Sequence, residues 1–116
     1  MTECVFCKIV AGEIPSSKVY EDDGVFAFDD IQPLAPVHVV LVPKRHVPTI
    51  VDMDVEGPDR NLPAELFNAV REVARIKGID ETGFRTVINS NYDGGQVIFH
   101  LHVHVLGGRR LSDDLG

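Results

Sequence analysis

His100-Leu101-His102-Val103-His104-Val105-Leu106 is the stretch on which the fold of this chain turns. A strand alternates its side chains between two faces. His100, His102 and His104 therefore share one face, and Leu101, Val103 and Val105 share the other, toward a core. Same-face neighbours on a strand lie roughly 6.5–7 Å apart, close enough for adjacent imidazoles to address one small ligand. The chain has five histidines, and a plain polar sheet face is a poor account of three at alternate positions. Two chemistries stay open. One is a catalytic metal centre built on His100, His102 and His104. The other is nucleophilic attack with proton transfer, because an imidazole is a free nucleophile or a donor near pH 7.

Working outward, the run is read as a strand over Val97 to Leu106, ended by Gly107-Gly108. Before it stands Asn91-Tyr92-Asp93-Gly94-Gly95-Gln96, a turn whose backbone N–H groups can converge on an anion. Phe84 to Asn89 and Val37 to Val42 read as strands, the latter β-branched and stopped by Pro43. Lys18 to Glu21 and Val25 to Phe28 form a hairpin through Asp22-Asp23-Gly24. Cys4 to Val10 is a short helix. Asn61 to Lys77 is the long one, with Asn61 as cap, Pro63 in the first turn and Gly78 past its end. Leu66, Ala69, Val70, Val73 and Ala74 form its buried stripe. The sum is an α+β domain with a mostly antiparallel sheet of about five strands and the long helix on one face.

The 116 residues make one domain over 1–116. Eleven Lys and Arg against eighteen Asp and Glu give a net charge of -7, which argues against nucleic-acid binding by counterion release. A local site can still take a small anion, because net charge and site charge differ. No apolar run approaches the roughly 18 residues of a membrane helix, and no signal peptide is visible. The expected compartment is the cytoplasm.

Cys4-Val5-Phe6-Cys7 puts two thiols three residues apart, on one side of a short helix. They are two small buried residues, a redox pair, or half of a zinc site; the zinc reading needs two more ligands, and His46 and His100 sit at strand ends. Taken alone, His38 in its apolar strand reads as a core histidine, and Lys44-Arg45 as a solvated corner. Asp52 to Asp59 reads as a solvated acidic loop without calcium-loop spacing.

His100 to Arg109, read as His-Leu-His-Val-His-Val-Leu-Gly-Gly-Arg, resembles the signature of the histidine triad superfamily, and its ending is similar to the nucleotide-binding phosphoramidase branch. Phe6-Cys7-Lys8-Ile9 with Gly12-Glu13-Ile14-Pro15 is similar to the family's opening. Phe28-Asp29-Asp30-Ile31, Ala35-Pro36-Val37-His38, Pro43-Lys44-Arg45-His46 and Asp93-Gly94-Gly95-Gln96 follow in the family's order. The resemblance implies a homodimer with one continuous sheet. It also implies cleavage of purine nucleoside phosphoramidates or related phosphate esters through a nucleotidyl-histidine, releasing a nucleoside monophosphate. It makes His102 the nucleophile, His104 the phosphate contact and leaving-group assistant, and His38 a supporting residue. It puts Asp30 and Ile31 at the ribose, Asn89, Gly95, Gln96 and Val97 along the phosphate, and Phe6, Ile14, Phe28 and Val40 around the purine. As in bacterial members, it implies a structural zinc on Cys4, Cys7, His46 and His100, with no metal needed for the chemistry. The phosphate charge would then be met by backbone amides and imidazolium.

Val97 stands where the family usually has a polar residue, and it cannot donate a side-chain hydrogen bond. The chain also lacks tryptophan, which some relatives carry in the tail. A purine-nucleotide-binding regulatory or scaffold protein with little turnover is therefore the competing expectation.

Overall fold

A computed structural model describes residues 4–114. Helix α1 spans Val5–Val10 and helix α2 spans Leu62–Ile76. The strands are β1 (Lys18–Glu21), β2 (Val25–Asp29), β3 (Val37–Pro43), β4 (Phe84–Val87) and β5 (Val103–Gly107). They form one antiparallel sheet in the order β1-β2-β3-β5-β4. The expected α+β architecture holds. Among the described residues, no helix is long and apolar enough to cross a membrane.

The two sheet faces separate as strand periodicity requires. Val25, Ala27, Val39, Leu41, Val103 and Val105 pack with Leu62, Leu66, Ala69, Val73 and Ala74 of α2 into the main core. Phe26, Phe28, Val40 and Val42 point the other way and meet Phe6 and Ile9 of α1 in a second cluster. Each helix thus covers its own side of the sheet. The register pairs Val40 with His104 and His38 with Leu106, so both histidines rise on the α1 side.

The last strand begins at Val103 and not at Val97. Its partner β3 ends at Pro43, which has no N–H to extend the ladder, and the final pair is Leu41 with Val103. Residues 97–102 find other partners. The N–H of Leu101 donates to Val47 O at 2.7 Å, and Gln96 Nε2 donates to Ile98 O at 3.0 Å. Strand β4 is also shorter than expected, ending at Val87.

Asn61 precedes α2 but makes no capping hydrogen bond, because it already has helical dihedrals of φ -95° and ψ -5°. The acidic loop is not wholly solvated. Asp59 is 2% exposed, and it accepts from Arg45 Nε at 2.7 Å and from the Asp54 N–H at 2.8 Å. That clasp ties residues 54–59 to the corner that carries His46. In the hairpin, Asp22 Oδ1 accepts from the N–H groups of Gly24 and Val25, both at 2.9 Å, as its turn chemistry requires.

Candidate functional site

The histidines divide into two groups with different surroundings. His100 is fully buried, and its Nε2–H donates to Pro43 O at 2.8 Å. That bond fixes the tautomer and leaves the Nδ1 lone pair facing Cys4 Sγ at 3.3 Å, Cys7 Sγ at 3.5 Å and His46 Nδ1 at 3.2 Å. Cys7 Sγ lies 3.3 Å from His46 Nδ1. Burial lowers the His100 pKa, favouring the neutral ring. Burial and the Cys4 contact raise that of Cys7.

Four ligand atoms of types N, N, S and S, all within 4.8 Å of one another, could hold a metal ion. An ion about 2.0 Å from nitrogen and about 2.3 Å from sulfur spaces tetrahedral ligands about 3.3 Å apart for N–N and about 3.5 Å for N–S. The separations above match those edges, so the residues fit a closed tetrahedral centre.

His102 turns away from that group. Its Nδ1–H donates to the carbonyl of His100 at 2.8 Å, so Nε2 keeps its lone pair. Its ring packs edge-on against Phe6, with centroids 5.0 Å apart, and at the same separation against His104. His104 is ordered from behind. The Leu34 N–H donates to His38 Nδ1 at 3.1 Å, which puts the His38 proton on Nε2. That Nε2–H lies 2.9 Å from His104 Nδ1, so neutral His104 carries its own proton on Nε2. A lone-pair nitrogen on His102 thus stands beside an N–H donor on His104.

Burial first, then the neighbouring His102 and His38, lower the His104 pKa to about 4. Burial also lowers that of His38, with Asp30 opposing. Burial thus favours the neutral form of both rings. Asp30 Oδ2 lies 3.5 Å from His38 Nε2. Asp30, His38 and His104 also cluster as a possible metal group, but the 2.9 Å His38–His104 contact is a hydrogen bond, shorter than a tetrahedral edge. Neither candidate group includes His102, so the expectation of one catalytic metal on His100, His102 and His104 together is corrected.

A mostly apolar cavity of about 320 Å³ opens beside these rings. Phe6, Ile14, Phe28 and Val40 line it, with Asp30, Ile31, His102 and His104. Val5 and Ile9 of α1 and Ile98 also line it and were missed; Ile9 lies three residues after Phe6, a helical spacing that could have revealed it. Asn89 lines a second cavity together with His38 and His104.

The segment before β5 carries the remaining residues expected along the phosphate. Gly95, Gln96 and Val97 line neither cavity. Gln96 is a buried staple: its Oε1 accepts from the Asn91 N–H, and its Nε2 donates to Pro48 O, each at 2.8 Å. Val97 is 86% exposed. The turn needs its glycines. A Cβ on Gly94 would lie 2.5 Å from Ser90 O, and Gly95 has φ +79°.

A five-stranded antiparallel sheet with an α+β layout and a paired-histidine centre on one face defines a compact class of domain. The HIT domain family matches residues 11–111, and the chain belongs to it. It is 41% identical over 110 residues to purine nucleoside phosphoramidase of Escherichia coli K12, covering 95% of this chain and 91% of that protein. It is 42% identical over 110 residues to the 14 kDa zinc-binding protein of Brassica juncea, covering 95% and 96%. A histidine triad protein from Clostridium difficile superposes with a TM-score of 0.92 at 43% identity, covering 99% of this chain and 98% of that one.

Proposed function

We propose that the protein hydrolyses purine nucleoside phosphoramidates, or related nucleoside phosphate esters, through a nucleotidyl group on His102. The observation that carries this reading is the pairing of a free Nε2 lone pair on His102 with the ordered N–H of His104, at the mouth of a nucleoside-sized cavity. The purine would enter between Phe6, Phe28 and Val40, with its ribose hydroxyls toward Asp30. The His102 Nε2 lone pair forms a bond to the α-phosphorus as the bond to the leaving nitrogen breaks. The leaving nitrogen, protonated from solvent, departs as the neutral amine while the His104 Nε2–H donates to the phosphoryl group. Water then attacks the same phosphorus, gives its proton back to solvent, frees His102 and releases the nucleoside monophosphate. Two displacements let an oriented imidazole replace unactivated water in the first step.

Cys4, Cys7, His46 and His100 would hold zinc. That ion would supply cross-linking between α1, the corner after β3 and the segment before β5, and no step of the chemistry runs through it. The likeness to a protein named zinc-binding supports this reading. Strand β4 at the sheet edge, with Phe84 38% exposed, would pair with its copy in a homodimer. The working compartment would be the cytoplasm, with neither nucleic acid nor membrane as partner.

A nucleotide-binding role with slight turnover is favoured by one observation, the exposed Val97 with no side-chain donor. Incubation with an adenosine phosphoramidate separates the two. Release of AMP and free amine that vanishes in His102→Ala supports the hydrolase; tight AMP binding without turnover supports the binder.

A further inference from the structure

A second cavity, of about 270 Å³, shares His104 with the nucleoside cavity as a lining residue. An in-line displacement sends the leaving group away from the nucleophile. With His102 on the nucleoside side, the departing group is directed past His104 into this second space. The register explains who waits there. Arg85 pairs with Leu106 and Val87 with His104 across β4 and β5, so Arg85 rises on the same face as the histidines.

The lining is cationic in an acidic protein. Arg85, Arg109, His38 and His104 supply its ionisable groups, and no Asp or Glu lines it, although the chain carries a net charge of -7. Among the described residues, neither arginine pairs with a carboxylate. Arg85 donates to the carbonyls of Ser112 and Asp114, folding the tail back as a wall, and Arg109 donates to the Arg110 carbonyl at 3.0 Å. Carbonyls satisfy some N–H groups but carry no negative charge to offset the guanidinium. Leu106 and Leu111 give the cavity an apolar side.

We propose that this cavity is the leaving-group subsite, and that Arg85 and Arg109 make it select leaving groups bearing a negative charge, a carboxylate or a phosphate on a short apolar stem. The inference rests on the hydrolase reading above and deepens it. Guanidinium groups bind either anion through paired N–H donors, so the chemistry defines the charge and the test defines its source.

The test compares kcat/KM for matched adenosine phosphoramidates: β-alanine against β-alaninamide for the carboxylate, and phosphoethanolamine against ethanolamine for the phosphate. Intrinsic differences between leaving amines cancel when each anionic-to-neutral ratio is compared between the parent and variants. At least one ratio should fall roughly tenfold in Arg109→Gln, a single charge-assisted contact, and recover in part in Arg109→Lys. Which ratio falls identifies the anion. Arg109 is chosen because Arg85 also anchors the tail. Added salt should lower the same ratio in the parent. Ratios equal in the parent and Arg109→Gln for both pairs would overturn the subsite while leaving the hydrolase reading intact. Failure of the parent to cleave even the neutral substrates would overturn the hydrolase reading and this inference with it.

Discussion

The Nδ1 of His102 lies 2.8 Å from the carbonyl oxygen of His100. Two residues apart, one imidazole faces the cysteines and the next is aimed at the cavity. The backbone that orients the second ring is held by the side chain of the first, through Pro43 O and the Cys4–Cys7–His46 group. Phe6 bridges them from the other side, edge-on to both rings, with centroids 5.9 Å from His100 and 5.0 Å from His102.

This connection makes metal removal a test of binding as well as of stability. Helix α1 carries Cys7 and is preceded by Cys4, and it also supplies Val5, Phe6 and Ile9 to the nucleoside cavity. Chelation should weaken AMP binding roughly tenfold, and AMP should tighten metal binding by the same factor. Calorimetric titration of AMP into loaded and stripped protein checks the first half, and a metal competition assay the second. Equal AMP affinity in both forms would show the two sites to be independent.

His38 orders His104 through their 2.9 Å contact, and it also lines the second cavity. His38→Ala should lower kcat by roughly 10²-fold, because the His104 tautomer is no longer imposed. AMP affinity should change little, since His38 does not line the nucleoside cavity. A rise in KM with kcat unchanged would contradict the relay.

Neutral His104 makes stability depend on pH. Its pKa falls from an ordinary 6.5 to about 4 on folding. Between those values the unfolded chain takes the proton and the folded chain does not. Stability is therefore full above pH 6.5 and drains away as the pH drops toward 4. His38, also lowered by burial, acts in the same direction. Urea midpoints measured from about pH 7 down to about pH 4.5 should show a steeper loss in the parent than in His104→Gln. Parallel losses in the two proteins would count against a depressed His104.

Asp59 holds the corner before His46 through a buried carboxylate. Asp59→Ala should cost about 2 kcal/mol, since the Asp54 N–H loses its acceptor and Arg45 its partner. Denaturant unfolding measures this. A change within about 0.5 kcal/mol would mean that water replaces the clasp.

Much of this was legible in the sequence because period and punctuation agreed. Val37 to Val42, the Asp22-Asp23-Gly24 turn and the α2 stripe each carry a local signal that the tertiary structure leaves in place. The strand expected from Val97 starts only at Val103 because pairing ends where β3 meets Pro43, a property of the neighbour and invisible within the segment itself. The burial of Asp59 and the side-chain bonds of Gln96 escape a local reading for a related reason. A polar residue in a polar loop gives no sign that distant backbone groups will bury it. The cationic cavity was hidden because Arg85 and Arg109 lie 24 positions apart in sequence and meet only through the register of β4 on β5.

The central claim is a bond between His102 Nε2 and phosphorus. Rapid acid quench of the protein with an adenosine phosphoramidate, followed by peptide mass spectrometry, reads it directly. The account predicts an adenylyl adduct on the peptide containing His102, absent in His102→Ala. Steady turnover with no adduct there, or with the adduct on another residue, would contradict it.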